Sequence, residues 1–110
     1  MYKVRKREGK IVSFDINKID SAIKKAFDSV DRKYDDNVID FLALKVTADF
    51  EPKLKNNIVS VEDIQDSVEA VLSAAGYGDV AKSYILYRKQ HEKMRNMKST
   101  LLDYKDVVNS

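Results

Sequence analysis

The 110-residue sequence contains no cysteine and no tryptophan, one histidine, one proline and three glycines. Each shortage removes a class of protein. Without cysteine there is no disulfide frame, no thiolate metal site and no thiol nucleophile within these residues. The single histidine, His91, sits in a run of charge and has no second histidine to complete a metal site. The serines are scattered without a partner base, so a hydrolytic triad cannot be assembled. Catalysis by these residues is therefore not expected. So little glycine and proline argues against a loop-rich or all-β chain and favours long helices. No stretch reaches the ~18 consecutive apolar residues that a membrane span needs. A chain charged from Lys3 onward, with no apolar core behind it, does not read as a secretory leader, and the expected compartment is the cytoplasm.

What is present is a balanced, highly charged composition. Hydrophobic residues make up 44% and charged residues 35%, with 20 basic against 18 acidic side chains and a net charge of +2. This length holds one domain with a modest core. Such a balance does not predict a duplex nucleic-acid track. The charge is unevenly placed, however. Lys3, Arg5, Lys6 and Arg7 crowd four cations into five residues, 28–40 is acid-rich, and Arg88 to Lys98 is basic again. A local positive patch on a near-neutral chain suits a small anionic ligand better than a polymer.

Residues 2–7 and 10–14 read as two strands around a Glu8-Gly9 corner. Tyr2, Val4 and Lys6 alternate with Lys3, Arg5 and Arg7, and Val12 and Phe14 share the face that packs down. Asp15 is placed to cap a helix over 16–30, where Ile16, Ile19, Ile23, Ala26, Phe27 and Val30 recur at steps of three and four. A second helix over 37–51 has a broader apolar pattern, with Val38, Phe41, Leu42, Val46 and Phe50 on its stripes, and Pro52 ends it. After a polar linker, Ile58-Val59 is able to add a third strand beside the hairpin. Ser60-Val61-Glu62-Asp63 fits a capping box that opens a third helix over 61–75, buried through Ile64, Val68, Val71, Leu72 and Ala75 and stopped by Gly76. A fourth helix over 79–97 turns Val80, Ala81, Tyr84, Ile85 and Leu86 or Tyr87 inward. Beyond it the pattern is lost, and the ending suggests a piece of something longer. The expected fold is mainly α (α+β): a four-helix bundle capped by a small three-stranded β-sheet.

The basic hairpin is the sharpest chemical signal. Lysine on an edge strand also discourages edge-to-edge pairing and needs no ligand. Two features favour a ligand. The hairpin leads straight into a helix N-terminus, whose amides attract anions. Lys18 lies in that first turn, where a cation opposes the helix dipole and is better explained by an anion nearby. Val4, Phe14 and Ile19 around it offer apolar surface for a ring. Gly76-Tyr77-Gly78 lacks the lysine and third glycine of a phosphate loop and reads as a helix–helix turn.

Val4-Arg5-Lys6-Arg7-Glu8-Gly9, then Phe14-Asp15 and Lys18-Ile19, resemble the start of the ATP-cone, the nucleotide-binding regulatory domain of ribonucleotide reductases. Val61-Glu62-Asp63-Ile64-Gln65, Val68-Glu69, Gly76-Tyr77 and Ala81 through Arg88 agree in order. The resemblance implies an ATP-cone over 1–95 and a linker over 96–110 toward a catalytic domain, with the tail similar to that of anaerobic (class III) ribonucleoside-triphosphate reductases. It implies that ATP activates and dATP inhibits by changing how subunits associate, so a homo-oligomer is expected in the parent and nucleic acid is not expected as a partner. By position it implies nucleotide contacts at Val4, Arg5, Lys6, Arg7, Asp15, Lys18, Ile19, Val61, Gln65, Arg88 and Lys89. Lys6 and Arg7 would hold phosphates, Lys18 would neutralise them, and Val4 and Ile19 would sandwich the base. Mg²⁺ is expected with the triphosphate. Val12 departs from a glutamate found in some members, and Val61 and Gln65 from a threonine and a histidine. Two other readings remain open on the residues alone: a nucleic-acid-binding helical module, as in a repressor, and an oligomerisation module with Tyr84 and Tyr87 at its interface.

Overall fold

The computed structural model describes residues 2–109, with side chains described through residue 94. β1 (Lys3–Arg5) and β2 (Ile11–Ser13) form an antiparallel hairpin with Val4 opposite Val12. Its loop is wider than the expected two-residue corner. The Lys6 amide donates to the Lys10 carbonyl at 2.8 Å and the Gly9 amide to the Lys6 carbonyl at 2.9 Å, so Arg7, Glu8 and Gly9 form the loop. A two-residue turn would require left-handed backbone at Glu8 as well; the third residue lets Gly9 alone adopt it, at φ 91°. Arg7 is thereby a loop-tip residue and not part of a strand.

α1 (Ile16–Ser29) starts where Asp15 predicts, with its carboxylate accepting from the Asn17 amide at 3.0 Å. α2 (Asp36–Phe50) is capped in the same way by Asp35, and Pro52 lies in a short 3₁₀ turn just beyond its end. Asn56 and Asn57, at φ 54° and 62°, then turn the chain into β3 (Ile58–Ser60). This third strand joins β1 in parallel, with Val59 opposite Val4, so the sheet order is β2-β1-β3 and the first strand is central. α3 (Val61–Ala74) follows without a loop, the Ser60 hydroxyl accepting from the Asp63 amide at 3.1 Å. At its end the Gly76 amide reaches the Ser73 carbonyl and the Tyr77 amide the Leu72 carbonyl, a closed C-terminal motif that requires Gly76 at φ 88°. α4 (Gly78–Asn109) then runs on past position 97, where the sequence pattern suggested a stop.

The fold is mainly α with a three-stranded mixed sheet. The core takes Val4 and Val59 from the sheet, Ile23 and Phe27 from α1, Leu42, Val46 and Phe50 from α2, Val68 and Leu72 from α3, and Val80, Ala81 and Tyr84 from α4. Phe27 packs edge-on against Tyr77 at 5.0 Å and Tyr34 at 5.6 Å, and Phe50 against Phe14 at 5.5 Å. Several inward assignments are corrected. Phe41, Leu86 and Tyr87 are exposed, as is Ala75, while Ile39 and Ser67 are fully buried. α2 is apolar on most of its circumference, so periodicity alone could not choose its inner side. Tyr84 is buried in this chain's own core, which removes it from an interface between chains.

Asp20 on α1 faces Asp40 on α2. Burial first, and the neighbouring Asp40 carboxylate second, raise its pKa above the ordinary value, with Lys24 opposing. A carboxyl whose folded pKa is raised stabilises the fold below the ordinary carboxylate range and loses that contribution as pH rises through the folded value. Asp20→Asn should therefore raise the thermal midpoint at pH 7 and lose its advantage near roughly pH 3, as followed by circular dichroism. A Cβ at Gly76 would meet no atom within 4 Å, so the cost of Gly76→Ala is backbone strain alone. Urea denaturation should show a loss of about 1–2 kcal/mol.

Candidate functional site

A cleft of about 220 Å³ lies between the sheet, α1, α3 and the first turns of α4. The hairpin contributes Val4, Lys6, Val12 and Ser13. Phe14 and Asp15 come from the β2–α1 junction, Lys18, Ile19 and Ala22 from α1, Val61, Ile64, Gln65 and Val68 from α3, and Tyr84 from α4. Seven of the eleven sequence candidates meet here: Val4, Lys6, Asp15, Lys18, Ile19, Val61 and Gln65. They converge because β1 is central. Val4 looks down into the core, and Lys6, two residues on, falls on the same side. Lys18 and Ile19 occupy the first turn of α1, and Val61 and Gln65 are one helical turn apart on α3.

The interior of the cleft is apolar with a few placed polar groups. The Gln65 Oε1 is buried without a hydrogen-bond partner. Tyr84 is pushed up to about 12 chiefly by burial, so its phenol stays neutral and able to donate. Lys6 and Lys18 supply the positive charge. Asp15 caps α1 through Oδ1, which accepts from the Asn17 amide.

Arg7, Arg88 and Lys89 line a second groove along α3 and α4, together with Glu62, Glu69, Ile85 and Glu92. Consecutive residues connect it to the cleft: Lys6 with Arg7, and Val61 with Glu62. Arg7 Nε lies 3.1 Å from Glu62 Oε1, and its Nη1 lies 3.7 Å from Glu92 Oε1. Arg88 Nη1 bridges Asp66 at 2.9 Å and Glu69 at 2.8 Å. Partial burial pulls the Arg88 pKa down, but these two carboxylates more than offset it and the guanidinium stays charged. Arg5 is exposed beside the buried Val4, on the other side of β1, and lines neither recess. The sequence reading missed Tyr84, Ile64 and Val68 as cleft residues and the acidic partners of both arginines. Asp66 and Glu69 are three apart on one helix, a visible signal, but nothing in the sequence pairs them with Arg88.

Among the described residues no cluster of three or more histidine, aspartate or glutamate side chains is arranged to hold a metal ion, and no helix is long and apolar enough to cross a membrane.

The chain is 42% identical over 99 residues to a vitamin B12-dependent ribonucleoside-diphosphate reductase of Mycobacterium tuberculosis, covering 90% of this chain and 14% of that protein. It is 42% identical over 109 residues to a protein of the same name from Thermoplasma acidophilum, covering 94% of this chain and 14% of the relative. To the ribonucleoside-diphosphate reductase subunit alpha of Chlamydia pneumoniae it is 34% identical over 96 residues, 82% of this chain and 9% of the relative. It thus spans no more than 14% of the length of these relatives. Residues 2–93, the sheet, the cleft and all eleven candidate residues among them, match the ATP cone domain, and the chain belongs to that family.

Proposed function

We propose that this domain binds an adenine nucleotide in the cleft and regulates a ribonucleotide reductase whose catalytic domain lies in the same parent chain, ATP raising and dATP lowering its activity. The observation that carries this reading is the cleft's make-up: an apolar slot with two lysines at the sheet–helix junction and a buried amide oxygen lacking a partner. At about 220 Å³ the slot holds a ring and not a whole nucleotide, since pockets for drug-sized ligands run from roughly 300 Å³ upward. The phosphate tail therefore lies across the mouth. Val4 and Ile19 flank the base, Gln65 accepts a hydrogen bond from the ligand, and Lys6, Lys18 and Arg7 take the phosphates. Lys89 and Arg88 stand further along the groove. Arg5, remote from both recesses, contributes only to the field. Mg²⁺ travels with the triphosphate and is held by its oxygens.

The parent enzyme is read from its relatives. The tail's resemblance to anaerobic triphosphate reductases is one version of that parent; the names of the relatives, diphosphate reductases, favour a diphosphate-reducing one. The family match ends at residue 93, which supports a domain boundary near 95, although α4 continues to Asn109. Nucleotide-dependent change in the parent's homo-oligomeric state is the expected route of regulation. It requires ATP and dATP to favour different assemblies, because equal affinity for both shifts nothing.

Isothermal titration of the 110-residue chain with ATP, dATP and GTP tests the reading. Both adenine nucleotides should bind, and absence of binding by either at millimolar concentration would remove it. Lys6→Ala with Lys18→Ala should weaken ATP binding by about 3 kcal/mol or more, since each charge-assisted bond to phosphate contributes roughly 1.5–3 kcal/mol. Gln65→Leu should act in opposite senses on the free chain and the complex. Removing an unpartnered buried oxygen should raise stability in denaturant, while nucleotide affinity falls by about 1 kcal/mol.

A further inference from the structure

The groove beside the cleft is lined by three cations, Arg7, Arg88 and Lys89, and by three carboxylates, Glu62, Glu69 and Glu92. So lined it carries no net positive charge, and its arginines already hold anionic partners. A phosphate tail that uses the groove has to exchange with one of these carboxylates. The two arginines differ in how exchangeable they are. Arg88 is anchored by two short contacts through one nitrogen, to Asp66 at 55% side-chain exposure and to the more buried Glu69 at 25%, and it ties α4 to α3. Arg7 sits on the loop tip, its contacts are 3.1 and 3.7 Å, and its partners Glu62 and Glu92 are 43% and 54% exposed. Ion pairs that exposed are weak, and releasing their carboxylates to water costs little.

Resting on the proposed nucleotide site, we infer that Glu62 and Glu92 set its affinity by competing with phosphate for Arg7, and that capture of Arg7 by phosphate unties the hairpin from α4. A polyphosphate outcompetes a single carboxylate because it brings several charges to a guanidinium with five donors. Glu92 lies on α4, so the exchange breaks the contact through which Arg7 joins the sheet's lid to that helix. Glu62 is on the first turn of α3, where the helix dipole favours its charge, and it remains satisfied once Arg7 leaves. Glu92 has no such compensation at mid-helix. The affinity-setting residues are thus two acids that touch no ligand.

The test is a double-mutant cycle on the 110-residue chain, read by calorimetric titration with ATP at fixed ionic strength. Glu92→Gln and Glu62→Gln keep side-chain size and remove the charge. Each should tighten ATP binding by roughly three- to five-fold, the range of an exposed ion pair. In the Arg7→Ala background the same substitutions should give no gain. Unchanged or weaker binding in Glu92→Gln would overturn the inference. So would a gain that persists without Arg7, since that is a general effect of field and not competition. If the unmodified chain binds no ATP, the nucleotide reading fails and this inference with it. If it binds ATP but Glu92→Gln is silent, only the inference fails.

Discussion

The parallel pairing of the first strand with the third places every wall of the cleft. Three residue pairs, Lys3 with Ile58, Val4 with Val59 and Arg5 with Ser60, hold the N-terminal hairpin against the segment that becomes α3. Because β3 passes into α3 without a loop, fixing β3 fixes Val61 and Gln65. Because β2 leads through Phe14 and Asp15 into α1, fixing the hairpin fixes Lys18 and Ile19. The two helices start from opposite ends of the sheet and close on the cleft from either side. A central N-terminal strand is what makes a short basic ribbon into the roof of a cavity. At an edge, Lys6 would face solvent with nothing beneath it.

The electrostatics of the site follow from that roof. Positive charge sits on the hairpin and on the first turn of α1, and acid lies along α3, while α4 brings Arg88 and Lys89 together with Glu92. The interior between them is nearly free of charge, and its polar groups are neutral: an amide oxygen at Gln65 and a phenol at Tyr84. An apolar slot with neutral hydrogen-bonding groups and a cationic rim matches, by its chemistry, the two halves of the nucleotide proposed to bind it. In the proposed reading, shape and hydrogen bonds recognise the ring and charge at the mouth recognises the phosphates. Discrimination by a single sugar hydroxyl then depends on the few polar groups at the boundary between the two.

Much of this was legible in the residues where local rules dominate. The caps at Asp15 and Ser60, the stop at Gly76 and the stripes of α1 and α3 each follow from side chains within one turn of one another. The third strand was legible too, although its partner and direction were not, since pairing across more than fifty residues leaves no local trace. Length and side choice failed where the pattern is weak. α2 is apolar nearly all round, so Phe41 looked as inward as Ile39. In α4 the alternation fades after Tyr84, and nothing in composition marked its far end. Candidate positions were legible only as far as the resemblance could carry them. Lys6, Lys18 and Val61 gather because of topology, while Arg7 and Arg88 were legible as cations but not as cations with acidic partners on other elements.

The strand order also constrains the sequence of folding events. The hairpin can close within the first fifteen residues, but its partner strand is roughly 55 residues downstream, and the loop between them must be ordered before the sheet is complete. The hairpin's side chains reach α2 first, Tyr2 and Phe14 packing on Phe50, but its backbone edge stays unpaired until β3 arrives. Without β3 the hairpin is a two-stranded ribbon, which is marginal alone in water. Four cations within five residues suit that interval, since a ribbon charged in this way repels copies of itself on neighbouring nascent chains.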